Sequence, residues 1–146
     1  MTRPIELISE LDRALIGDLF ARYSHGFDHD DVEQLLSTFT DDGVFDSELN
    51  GRIEGRRELR TFFESVSREA AHERRRSGQH WVNGTLFTSV TDGEVRASSS
   101  FVFLNERSGA PAASIMGEYE DVIVRTPDGW RFANRYIRIL IDADSA

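Results

Sequence analysis

The stretch after Gly78 limits the fold most. Four long segments of strand-type composition follow one another: His80–Val90, Glu94–Leu104, Ala112–Arg125 and Trp130–Ile141. Between them stand Thr91-Asp92-Gly93, Asn105-Glu106-Arg107-Ser108-Gly109 and Thr126-Pro127-Asp128-Gly129. Clusters of Gly, Asp, Asn and Pro are turn chemistry, so the segments read as consecutive antiparallel strands. They are longer than the usual strand of about 5–6 residues, and long strands joined by hairpins accumulate twist into a curved sheet.

Ahead of them the apolar residues recur at helical spacing. Ile8, Leu11, Leu15, Leu19, Tyr23 and Phe27 mark one face, which Ile16 and Phe20 widen. Asp30 followed by Glu33 has the shape of a capping box for a second helix, with Val32, Leu35, Leu36 and Phe39 on its apolar face. A turn at Asp41-Asp42-Gly43, a short strand at Val44-Phe45 and a hairpin at Asn50-Gly51 come next, with Arg52–Glu54 returning. Residues 55–76 read as a third helix with Leu59, Phe62, Phe63 and Val66 inward. Arg74, Arg75 and Arg76 fall in its last turn, where cations complement the helix dipole; a phosphate-binding patch is the alternative. Helices first and strands after predict an α+β fold with the helices on one side of the sheet. With no repeat, low-complexity tract or linker, residues 1–146 are expected to form one domain.

A net charge of −9 argues against nucleic acid as a partner. The absence of cysteine rules out disulfides and thiolate metal sites. No run approaches the roughly 20 apolar residues of a membrane span, and the first residues lack the apolar core of a signal peptide, so no membrane partner and a cytoplasmic location are expected. In the first long strand His80, Val82, Gly84, Leu86 and Thr88 alternate with Trp81, Asn83, Thr85 and Phe87. In the last, Trp130, Phe132, Asn134, Tyr136 and Arg138 alternate with Arg131, Ala133, Arg135, Ile137 and Ile139. Neither face is cleanly polar. Helices can cover one face; a second copy is expected to cover the other, as a dimer or trimer.

Where the first helix runs out, Tyr23, His25, Asp28, His29, Asp30 and Asp31 crowd together. His25 and His29 stand four apart, like paired helix ligands. Gly26 between them and the helix end argue against a metal site, so they read as surface residues. Asp30 reads as the second helix's cap and Asp31 as an acid of its first turn. Tyr23 lies on the apolar stripe, where a core tyrosine is the alternative to a site residue. For Asp28 the alternative is a solvated turn, and for His80 an ordinary strand start.

Several features occur in a recognisable order. Tyr23 and Asp28 close the first helix, and Leu35, Phe39 and Asp41-Asp42-Gly43-Val44-Phe45 follow. Gly51 and Gly55 lead to Phe62-Phe63, His80 opens a long strand with Asn83 three residues on, and Asp128-Gly129-Trp130-Arg131-Phe132 opens the last. Over roughly residues 8–141 this order resembles the SnoaL-like group of the NTF2-like (cystatin-like α+β) superfamily. The resemblance implies a cone, a strongly bent antiparallel sheet wrapped round the N-terminal helices with a pocket inside. The likeness is greatest to the scytalone dehydratase and bile-acid dehydratase branch. It implies cofactor-free, metal-free acid–base catalysis on a small apolar ring-containing carbonyl compound, with His80 as base, Asp28 orienting it and Tyr23 polarising the substrate. Trp81, Asn134 and Arg138 are expected as substrate-binding residues, with Arg138 alternatively at the rim or an interface. Steroid isomerases, polyketide cyclases and ring-hydroxylating dioxygenase small subunits share the fold. An isomerase or cyclase reaction, or a non-catalytic binding or scaffolding role, is therefore the alternative.

Overall fold

The structure, a computed structural model, describes residues 8–72 and 78–145. Among the described residues three helices, α1 (Glu10–Asp28), α2 (Val32–Ser37) and α3 (Arg56–His72), precede or interrupt six strands. These are β1 (Phe39–Ser47), β2 (Gly51–Glu54), β3 (Gln79–Thr91), β4 (Glu94–Arg107), β5 (Ala110–Thr126) and β6 (Gly129–Asp142). The sheet order is β2-β1-β6-β5-β4-β3. The four long strands pair antiparallel in sequence order, while β1 lies parallel to β6, so the sheet is mixed. Arg74, Arg75 and Arg76 fall outside the described residues.

Ser9 starts α1: its hydroxyl accepts the Asp12 N–H (3.0 Å) and donates to the Asp12 carboxylate (2.9 Å), a reciprocal N-terminal cap. Asp12 also accepts from Arg125 and from the Trp130 indole N–H (2.9 Å), tying the helix start to the β5–β6 end of the sheet. The Arg125 contact, with help from Trp130, lowers its pKa from 3.8 to about 2. A depressed carboxylate contributes stability above its unfolded pKa and loses it as pH falls through the folded value. Asp12→Asn should therefore lower stability by about 1 kcal/mol at neutral pH. In urea titrations the difference from wild type should shrink below pH 3.8 and be gone near about 2.

The buried face of α1 is Ile16, Leu19, Phe20 and Tyr23, whereas Leu11 and Leu15 are exposed, contrary to the apolar stripe read from sequence. Steps of four overshoot a helical turn by roughly 40° each, so a series of such steps walks away from the core. Gly26 is buried, and a Cβ there would come within 2.9 Å of the Leu35 side chain. Its bareness lets α2 pack close.

Asp31, not Asp30, caps α2, accepting the Gln34 N–H (3.0 Å). Asp30 adopts a left-handed conformation (φ 54°) and the Asp31 N–H reaches back to the Gly26 carbonyl (2.8 Å). That is the signature of a helix stopped by a left-handed residue, a role Asp tolerates better than most. The left-handed turn removes Asp30 from the cap position. α2 ends at Ser37, so Phe39 opens β1 instead of closing the helix.

Bulges break the face assignments made by simple alternation. In β3 one residue is extra between Asn83 and Leu86, where Gly84 takes φ 63°, and another between Phe87 and Ser89. Leu86 is thereby turned outward and exposed. In β6, Phe132 and Asn134 face adjacent residues Ile123 and Val122 of β5, making Ala133 the extra residue. Phe132 and Arg135, on opposite faces by alternation, are both fully buried. Each bulge adds twist and bends its strand, which closes the sheet into a cone around α1. On the outer face Trp81, Val102, Met116 and Ile141 lie in one register row across four strands. No helix among the described residues is long and apolar enough to cross a membrane.

Candidate active site

The cone encloses a cavity of about 330 Å³, at the small end of ligand pockets. Its walls are mainly aromatic and aliphatic, with Phe27, Phe45, Phe62, Phe101, Phe103, Ile115, Ile137 and Ile139. His80, Asp28, Tyr23 and Tyr119 add polar groups, and Asp30, Asn50, Glu69 and Asn105 lie elsewhere on the wall.

His80 opens β3 on the inner face and Asp28 is the last residue of α1, 52 positions away in sequence. The Asp28 carboxylate accepts the His80 Nδ1–H at 2.7 Å and the His80 backbone N–H at 3.1 and 3.2 Å. An ionised carboxylate only accepts, so it fixes the proton on Nδ1 and leaves Nε2 with its lone pair. Both side chains are largely withdrawn from water, 16% and 8% exposed. Phe103, Phe27 and Phe101 surround the imidazole with ring centroids at 4.7, 5.5 and 6.3 Å.

Tyr23 is 1% exposed and packs edge-on against Phe27 and Tyr119. Burial raises its phenol pKa well above the ordinary value, against the pull of the Arg135 charge. The phenol therefore keeps its proton and is a hydrogen-bond donor. Tyr119, stacked on Phe101 at 4.4 Å, is shifted upward by the same cause, burial first and Tyr23 next.

Beneath the two phenols lies a group that simple alternation hid. Arg135 donates to both Asp121 oxygens, through Nε at 2.8 Å and a terminal nitrogen at 2.9 Å, with both side chains essentially sealed from solvent. Its guanidinium carbon sits 3.7 Å from the Tyr119 ring centroid and 4.3 Å from that of Tyr23, with Phe132 and Phe20 completing an aromatic cage. Burial opposes its charge, but Asp121 more than offsets this and its pKa moves up. The bulge at Ala133 was the missing signal: an arginine in an apolar strand is a reason to look for one.

The structure thus brings His80, Asp28 and Tyr23 to one cavity. It does not bring the three residues expected to bind substrate. Trp81 is 61% exposed on the outer face, its indole donating to Gln79. Arg138 is exposed beside Glu118 at 3.7 Å. Asn134 lies in β6 between Val44 and Val122 and takes no part in the cavity wall. The bulge at Ala133 turns Asn134 and Arg138 away from the cavity, whereas Trp81 faces outward as the strand neighbour of the inward His80. His25 and His29 are exposed, with ring centroids 5.6 Å apart.

A helix-filled cone with its cavity at the end of the first helix is the NTF2-like, cystatin-like architecture, and solved neighbours are described in those words. The chain belongs to the SnoaL-like domain family, whose model matches residues 9–136. Among solved structures it is similar to a point variant of Rv3472, a Mycobacterium tuberculosis protein of unknown function. Identity is 27% with TM-score 0.75, over 88% of this chain and 72% of that one. It is also similar to a candidate scytalone dehydratase from Novosphingobium aromaticivorans, at 19% identity and TM-score 0.77, over 93% and 89% of the two chains. The small subunit of anthranilate 1,2-dioxygenase from Burkholderia cepacia is 34% identical over 65 residues. That match takes in 44% of this chain and 39% of the subunit's length.

Proposed function

We propose that the protein is a cofactor-free acid–base catalyst, a dehydratase or isomerase acting on a small apolar ring-containing carbonyl compound. One observation carries the reading: a 2.7 Å imidazole–carboxylate pair on the wall of an aromatic cavity. In this scheme His80 Nε2 takes the proton from a carbon next to a carbonyl, and the C–H electrons move into an enolate. Asp28 stabilises the imidazolium that forms. The Tyr23 hydroxyl donates to the enolate oxygen. When the enolate electrons return, a β-hydroxyl leaves, taking the proton from His80 as water; in an isomerisation the same proton is delivered to another carbon. The apolar walls exclude water and strengthen each contact.

The test is proton exchange. In heavy water the protein should catalyse deuterium uptake at the acidic carbon of ring ketones, followed by NMR. Asp28→Asn should lower that rate by about 10²–10⁴, because the amide no longer specifies the tautomer. No exchange with any of a panel of cyclic ketones would remove the catalytic reading. The similarity to a dioxygenase small subunit favours a structural role as the second reading, and that role predicts co-purification with a large iron-containing chain. The proposal includes association of copies through the apolar outer row of Trp81, Val102, Met116 and Ile141. Sedimentation should report a dimer or trimer, reduced to monomer by Trp81→Glu.

A further inference from the structure

Tyr119 is a second phenol at the cavity, and the acid–base scheme above leaves it without a task. It lines the wall together with Tyr23, Asp28 and His80. Its hydroxyl has no hydrogen-bond partner among the described residues, yet it is not one of the sealed, unpartnered oxygens. The 1% of surface that the residue keeps therefore includes the hydroxyl, which opens on the cavity. A largely buried hydroxyl without a partner is costly. A phenylalanine would fill the same space without that cost.

The ring is held from both sides. Phe101 stacks on it at 4.4 Å with 11° between the planes, and the Arg135 guanidinium carbon sits 3.7 Å from its centroid. Two groups this close must occupy opposite faces, so the direction of the hydroxyl is set in advance. Gly117 makes room for the stack, since a Cβ there would come within 2.6 Å of the Phe101 ring. The Tyr23 ring meets Tyr119 edge-on at 6.0 Å and shares the same guanidinium at 4.3 Å, which fixes the two rings relative to each other. After burial, Tyr23 has the largest influence on the Tyr119 phenol, and the Asp28 carboxylate is also within range. Charge effects fall with distance, so the Tyr119 hydroxyl lies toward that of Tyr23 and toward the Asp28–His80 pair.

We infer that Tyr119 is a further catalytic residue, donating a hydrogen bond together with Tyr23 to the same enolate oxygen. Both phenols keep their protons throughout. The C–H electrons move onto the substrate oxygen, and the proton goes to His80. Donors fixed beforehand at the place where charge develops need no reorganisation as it forms, and a water-excluding wall strengthens them. The inference deepens the acid–base reading and rests on it for the placement of the reacting carbon.

The test compares wild type, Tyr119→Phe and Tyr23→Phe, each as the full chain. Unliganded Tyr119→Phe should melt no lower than wild type, because it keeps the ring and its hydroxyl has no partner to lose. Deuterium exchange into a cyclic ketone should fall about 10²–10³-fold in Tyr119→Phe. Calorimetric binding of the same ketone should weaken by no more than about tenfold, because a neutral carbonyl gains less from a donor than an enolate does. Bound para-nitrophenol, whose anion absorbs visible light, should ionise about one pH unit lower in wild type than in Tyr119→Phe. Tyr23→Phe should show both effects. The inference is overturned if Tyr119→Phe exchanges within about threefold of an active wild type, or if para-nitrophenol titrates alike in the two proteins. A loss in Tyr119→Phe with none in Tyr23→Phe also overturns it, because the phenols would then not share an oxygen. If wild type exchanges no proton but the titration difference is present in both variants, the acid–base reading fails and the paired phenols stand as a site for an anionic oxygen.

Discussion

His80→Ala is expected to lower the rate of deuterium exchange by at least about a thousandfold, within the range that a positioned general base contributes. The fold should survive. The imidazole is 16% exposed and its main partner, Asp28, keeps the backbone N–H of residue 80. Far-ultraviolet circular dichroism should be unchanged and the stability loss confined to about 1–2 kcal/mol for the missing charge-assisted contact. Removing the ring leaves a void bounded by Phe27, Phe101 and Phe103. Added imidazole should therefore restore part of the rate, an effect that a merely structural histidine would not show. Full activity in His80→Ala would end the assignment of the base.

Arg135→Ala is expected to destabilise the protein by about 3–5 kcal/mol, the usual consequence of taking one partner from a buried ion pair. The Asp121 carboxylate would stay sealed in the core without its two donors, and burial already works against its charged form. The aromatic cage of Tyr23, Tyr119, Phe20 and Phe132 would lose the cation it closes on. Against a typical total of 5–15 kcal/mol, this is enough to leave much of the chain insoluble at growth temperature. Urea titration should show the midpoint falling in Arg135→Ala and recovering in part when Asp121→Leu is added to Arg135→Met, because no charge is then stranded. A single variant as stable as wild type would mean that the pair contributes nothing.

Element order and strand limits were legible in the sequence because turn residues mark them. The four long strands begin and end within a few residues of their expected positions. The pairing of β1 with β6 was not, since a parallel neighbour leaves no turn between the two strands. Which face a strand residue takes failed at the bulges, because a single extra residue reverses parity for all that follow. Hence Arg135 escaped notice, and Asn134 and Arg138 were expected in the pocket. Trp81 failed for another reason: it neighbours His80 in sequence, and neighbours in a strand point apart. The approach of Tyr23, Asp28 and His80 to one cavity came from the resemblance, since no local pattern relates a helix end to a strand start 52 residues later.

The left-handed turn at Asp30 has a wider consequence. It makes Asp28 the final residue of α1, five positions after Tyr23 on the same rigid rod. Each residue gained or lost in that interval would rotate one of the two by roughly 100° about the helix axis. Under the proposed chemistry the interval between phenol and carboxylate tolerates a change of residue but not of length, whereas hairpin tips far from the cavity carry no such constraint. If that chemistry holds, a gap in this short stretch among distant kin would mark a chain that keeps the shape without the proposed pairing of phenol and carboxylate.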